Sequence, residues 1–235
     1  MNAENVRIAL RGINANRLRA ALTMLGILIG VGAVIVLVAV GNGSSQSVQQ
    51  QIEGLGTNVL TVLPAGFGRG GAGAFTTRPV LTEQDVNALE DKSSAPDVSQ
   101  VAPIKVASAT GAYAGNSYTP GQFLGTTPNI AGIRNYATTS GELFTMSDVT
   151  NDRRVVVLGT TVVDNLFGTG VDPVGKQVKF GSSSWTVVGV LKSKGSSGFQ
   201  DQDDVVLAPI TSVMDNLTGD NGNVNQVIAQ AASRR

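Results

Sequence analysis

Three stretches of this sequence place residue types at spacings that could do chemistry. The first is Gly66-Phe67-Gly68-Arg69-Gly70-Gly71, a formal GxGxxG, the pattern that lets a backbone cradle a pyrophosphate. A strand precedes it, but more glycine and then Thr76-Thr77-Arg78-Pro79 follow, where a helix is required. It reads as a flexible loop. The second, Gly170 to Gln177, resembles a phosphate-binding loop, but Gln177 stands where the Mg²⁺-binding hydroxyl belongs. The order is also reversed, with a helix before it and a strand after, so it reads as a turn. The third is Asp201, Asp203 and Asp204, alternating carboxylates that could suit Ca²⁺. An EF-hand needs Gly at its sixth position and Glu at its twelfth, and here those are Val206 and Ser212. A solvated loop is the reading taken.

Composition removes other chemistry. The 235 residues include no histidine and no cysteine, so a Ser-His-Asp triad, a thiolate nucleophile and a zinc ribbon are excluded. Net charge is zero, which argues against a nucleic-acid partner. No catalytic, cofactor-binding or metal-ligating residue is nominated, and no cofactor is expected.

Only 14% of residues are charged, against roughly a quarter in soluble domains. The deficit lies near the N-terminus. From Leu22 to Val40 no charge interrupts an apolar run of about 28 Å at helical rise, close to the ~30 Å of a bilayer core. A membrane helix is predicted over 22–41. Arg7, Arg11, Arg17 and Arg19 precede it against Glu4 alone, and the next basic residue is Arg69. The positive-inside rule then places residues 1–21 in the cytoplasm, as an amphipathic surface helix, and 42–235 outside. A cleaved signal peptide is the alternative, with Ala39-Val40-Gly41 as its cleavage site; the apolar run exceeds the usual length for one. Gly26 and Gly30 form a GxxxG that lets a neighbouring helix approach, although glycine is also common in membrane helices.

The exported region reads as mixed α/β (α+β). A helix over 44–56 continues out of the membrane and stops at Gly54 and Gly56. Strands are predicted at 58–63, 98–104, 105–113, 154–158, 205–208 and 223–229, and a hairpin at 176–191. Helices are predicted from Thr82, over 159–167, and from Pro209 to about Leu217. Residues 116–140 read as Gly/Pro/Thr/Asn-rich chain with short β-like pieces at 122–124 and 129–133, and 192–204 as a polar loop.

Taken in order, several segments resemble permeases of the MacB type, which belong to ABC transporters and include FtsX- and LolC-like relatives. They are Asn16-Arg17-Leu18-Arg19-Ala20-Ala21-Leu22-Thr23-Met24-Leu25-Gly26, Leu55-Gly56-Thr57-Asn58-Val59-Leu60, Gly141-Glu142-Leu143-Phe144-Thr145, Val155-Val156-Val157-Leu158-Gly159 with Asn165-Leu166-Phe167-Gly168, and Pro173-Val174-Gly175-Lys176. The resemblance implies a non-enzymatic permease subunit in the plasma (inner) membrane. It further implies a separate cytoplasmic ABC ATPase, a second permease copy or homologue, and ATP-driven helix motion transmitted to the extracytoplasmic domain for export, extraction or signalling. It implies an α/β part (57–114 and 200–235) and a β-rich inserted part (115–199). Such permeases return to the membrane three more times, so the resemblance implies that this chain is a fragment. Two other classes stay open on the residues alone: a single-span anchored binding or assembly module, and an anchored hydrolase using Ser, Lys or Asp.

Overall fold

The computed structural model describes residues 17–54, 58–64, 80–197, 200–219 and 221–232. The chain divides into two units, residues 1–51 and 52–235.

The first unit is dominated by helix α1 (Arg17–Gly54). Its stretch Arg17–Ser44 is long and apolar enough to cross a membrane, and its most apolar part is entirely unburied. Leu22, Ile27, Leu28 and Leu37 are each more than half exposed, a surface that water does not tolerate at this density. The helix spans about 57 Å at ~1.5 Å per residue, well beyond a ~30 Å hydrocarbon core. The predicted membrane helix and its extramembrane continuation are therefore one element, ending at Gly54 as expected. The amphipathic segment before Arg17, with Arg7 and Arg11, lies outside the described residues, as does the glycine loop at 66–71.

In the second unit β1 (Val59–Val62) and β2 (Leu81–Thr82) precede α2 (Glu83–Glu90). The predicted start at Thr82 holds: the Asp85 carboxylate accepts from Thr82 N at 2.8 Å and Oγ1 at 2.9 Å. Then come β3 (Val98–Ala107), β4 (Gly111–Tyr113), β5 (Asn116–Tyr118), β6 (Gln122–Thr126), α3 (Ile130–Ile133), β7 (Thr138–Gly141) and α4 (Met146–Thr150). Next are β8 (Val155–Leu158), α5 (Thr160–Phe167), β9 (Gln177–Phe180), β10 (Ser183–Leu191), β11 (Ser196–Ser197) and β12 (Gln200–Asp201). The chain closes with β13 (Val205–Pro209), α6 (Ile210–Val213) running into a π-helical turn (Met214–Thr218), β14 (Asn223–Val224) and β15 (Gln226–Ala231).

Eleven strands form one mixed sheet in the order β1-β15-β3-β6-β13-β8-β10-β9-β4-β5, with β7 also on β10. Parallel pairs β6–β13 and β8–β10 sit among antiparallel ones. The sheet continues across residues 114/115 and 199/200, because β13 pairs with both β6 and β8.

Alternation on the central strands divides the core. Val155 and Val157 join Val205 and Leu207 in one cluster, covered by Val86, Ile130, Ile133 and Phe144. Val156 and Leu158 join Val206 and Ala208 in the other, with Val162 and Leu166 of α5. Strands buried on both faces read as continuous apolar runs, which is why RVVVL was legible. Phe123 anchors the second cluster, edge-on to Phe180 at 5.0 Å and to Trp185 at 6.0 Å.

Two local expectations are corrected, at 98–113 and at 129–133, and two further elements, at 138–141 and 146–150, had no prediction of their own. The pieces predicted at 98–104 and 105–113 are instead one long strand, β3, and a short one, β4. The β-like piece at 129–133 is the helical turn α3, since Ile130 and Ile133 must face one core cluster together. Residues 138–141 form β7, where Gly141 (φ +66°) and Gly189 allow two backbones to cross: a Cβ on Gly141 would lie 2.1 Å from the Val188 carbonyl oxygen. Met146–Thr150 is a helix whose cap is Thr145, which binds the Asp148 carboxylate through N (2.7 Å) and Oγ1 (2.8 Å).

Candidate functional site

Of the residues singled out near the N-terminus, Arg17, Arg19, Gly26 and Gly30 lie on α1. Gly26, Gly30 and Gly32 lie within α1, and a Cβ built on any of the three meets nothing within 4 Å. Arg17 and Arg19 are exposed in the first turn of α1. Thr23 Oγ1 turns back to the Arg19 and Ala20 carbonyls at 3.0 Å, so its hydroxyl is satisfied inside the helix.

The aspartate cluster is not the solvated loop expected of it. Asp203 is only 7% exposed and accepts from Ser193 Oγ, Lys194 N (2.8 Å) and Gly195 N (3.0 Å). Asp201 accepts from Asp203 N at 2.9 Å and from Thr161 Oγ1 of α5 at 2.7 Å. Asp204 accepts from Gly121 N at 2.8 Å. The Asp201 and Asp203 carboxylates are thus engaged by protein donors that a bound cation would displace, whereas Asp204 uses Oδ2 alone and its buried Oδ1 has no hydrogen-bond partner among the described residues. No group of three or more His, Cys, Asp or Glu able to hold a metal occurs among the described residues. Burial and the Asp204 carboxylate push the Tyr118 hydroxyl pKa up. Beside Asp203, Lys194 Nζ donates to the Arg134 carbonyl and lies 4.4 Å over the Tyr136 ring. Burial, with Arg134 nearby, holds the Lys194 pKa down; burial raises that of Tyr136.

The phosphate-loop look-alike is the turn it was read as. Val174 N donates to Asp172 Oδ1 (3.1 Å) and Lys176 N to the Pro173 carbonyl (3.0 Å), and Gly175 takes φ +81°. Lys176 Nζ sits 5.7 Å over Phe167 and 5.8 Å over Tyr113, a cation–π seat rather than a phosphate contact.

One polar cluster escaped sequence reading. Lys105, only 7% exposed, donates to Asn221 Oδ1 (2.8 Å) and to the Asn223 carbonyl (2.6 Å). Asn225 donates through N to the Ile104 carbonyl (2.9 Å) and accepts from Val106 N at Oδ1 (2.8 Å). The available signal was the asparagine alternation at 221, 223 and 225.

A helix long and apolar enough to cross a bilayer, followed in the chain by a mixed α/β domain, is the arrangement of a membrane-anchored domain. The family described as MacB-like periplasmic core domain matches residues 20–235. The chain belongs to that family, the extracytoplasmic domain of ABC-transporter permeases. It is 38% identical over 236 residues to the macrolide export ATP-binding/permease protein MacB of Syntrophobacter fumaroxidans, covering 97% of this chain and 32% of that protein. It is 40% identical over 223 residues to the protein of the same name from Hyphomonas neptunium, covering 92% and 33%. The chain therefore spans about a third of the length of these curated relatives. Among solved structures, the periplasmic region of MacB from Actinobacillus actinomycetemcomitans shares the fold, with TM-score 0.62, 23% identity and 78% of this chain and 79% of that one covered. So does the extracellular domain of the noncanonic ABC-type transporter YknZ from Gram-positive bacteria, with TM-score 0.60, 22% identity and coverage of 75% and 84%.

Proposed function

We propose that this chain is permease machinery that conveys ATP-driven motion to an extracytoplasmic domain, for export, extraction or signalling. The observation that carries the reading is covalent continuity. Helix α1 ends at Gly54, and residues 55–57 alone separate it from Asn58 at the entry to β1. A displacement of the helix therefore has a short route into the sheet. The driving partner is a separate cytoplasmic ABC ATPase; that the curated relatives are named ATP-binding/permease proteins supports an ATP-driven system. The GxxxG of Gly26 and Gly30 supplies an open face for a second permease copy or a later helix within the bilayer. Arg7, Arg11, Arg17 and Arg19 hold the N-terminus on the cytoplasmic side. Within the exported region, motion enters the α/β part (57–114 and 200–235) and passes through the shared sheet to the β-rich part (115–199).

Amide hydrogen exchange tests the coupling. The full protein and its ATPase, reconstituted in vesicles, are compared with and without a non-hydrolysable ATP analogue. Coupling predicts altered protection in residues 80–197. Identical protection in both states refutes it and favours a passive anchored module. Orientation is tested by replacing the four arginines with glutamate and fusing an export reporter after Arg235. Equal export with and without the arginines refutes the assignment.

A further inference from the structure

β3 changes partners along its length. Residues 98–104 pair with β15, which pairs onward to β1, whereas 105–107 pair with β6 and so with the rest of the sheet. A strand that changes partners leaves backbone groups without a ladder at the crossing point, and these must be satisfied in another way. Asn225 does this on both sides of Lys105, taking the Ile104 carbonyl with its N–H and the Val106 N–H with its side chain. Lys105 then reaches the chain before β15 at Asn221 and Asn223, and Asn223 itself pairs with Thr82 of β2.

A buried ammonium held by an amide and a carbonyl is a poor way to gain stability, because its desolvation offsets most of the gain from two hydrogen bonds. An apolar side chain of similar length would fill the site at least as well. What the lysine supplies is direction: its short bonds fix the 221–225 segment against β3 at one register.

We propose that Lys105 with Asn221, Asn223 and Asn225 is a brace that makes the β1-β15-β3 section and the β6-to-β5 section one rigid body. Motion entering at β1 then reaches the far strands instead of being lost at the β3 crossing. The rigidity belongs to the exported domain itself; only its use in conveying motion rests on the permease reading.

The absence of native cysteine makes the test direct, since spin labels attach only where cysteine is introduced. Thr61→Cys on β1 and Lys179→Cys on β9 are both exposed positions, one in each section. Pulsed electron–electron distance measurements on the full chain in nanodiscs give the spread of the separation. The brace predicts a narrow distribution that widens about twofold in Lys105→Met and in Asn225→Ala. Lys105→Met should do so with its melting temperature unchanged or raised, which a merely stabilising contact would not produce. If Lys105→Met fails to fold, Asn225→Ala, which retains the lysine, decides alone. An unchanged width in a folded variant overturns the proposal, because the shared apolar core would then suffice to lock the sections. The measurement needs neither ATPase nor nucleotide, so failure of the permease reading leaves its outcome untouched.

Discussion

Removal of the Asp203 carboxylate should be among the most damaging single changes in the 192–204 segment. The side chain serves three donors, Ser193 Oγ and the backbone N–H groups of Lys194 and Gly195, and its residue is 7% exposed. Hydrogen bonds to a charged acceptor contribute about 1.5–3 kcal/mol each, and partial rehydration of the freed groups returns roughly half, leaving about 3 kcal/mol for Asp203→Ala. In a domain of this size ~1 kcal/mol moves the melting temperature by about 2–4 °C, so a fall of about 6–12 °C is expected. Asp203→Asn should lie between, since its amide nitrogen is a donor where acceptors are required. The readout is the fluorescence of Trp185, the one tryptophan, which is fully buried in the core cluster nearest α5. Hydrogen exchange should show faster exchange at Lys194 and Gly195 N–H in the same variant. A melting shift below ~2 °C would refute the reasoning and restore the segment to a solvated loop.

Three further outcomes follow from local geometry. Ala114 adopts φ +47° beside Gly115 (φ +92°) in the two-residue turn between β4 and β5, so Ala114→Gly or Ala114→Asn should raise stability by about 0.5–1 kcal/mol in thermal melts. Gly141→Ala would place its Cβ 2.1 Å from the Val188 carbonyl oxygen at a positive φ, and should cost more than ~3 kcal/mol or abolish the cooperative transition. Asp148 is opposed by burial, but Thr145 N and Oγ1 together with Arg153 (2.9 Å) hold its pKa below the usual carboxylate value. A depressed folded-state pKa stabilises above the unfolded value of ~4 and is lost as pH falls through the folded one. Asp148→Asn should therefore cost about 1 kcal/mol at pH 7, with the gap to the parent protein closing in melts below about pH 4.

Signals carried within a few residues were legible. Thr82 with Asp85 announced α2, the RVVVL run announced β8, and the apolar stretch from Leu22 announced α1 together with its stop at Gly54. The Thr145–Asp148 cap has the same spacing as Thr82–Asp85 and was readable in principle, but only Val149 follows it as an apolar marker within so short a helix. Family membership was legible because its short motifs follow one another in order, and the family match extends over residues 20–235.

The fate of isolated polar residues was not legible. Asp203 and Lys105 look like surface charges in the sequence, and nothing beside them says otherwise. Their burial depends on partners 8 to 10 residues away for Asp203 and 116 to 118 away for Lys105. Helix periodicity, caps and the length of an apolar run are properties of a continuous segment, so the sequence by itself determines them through backbone geometry and water. Which strand β3 takes as its neighbour, and which charge is drawn inside to fix that choice, depends on surfaces that meet only after the chain has closed on itself. Those contacts were decided by the tertiary structure alone.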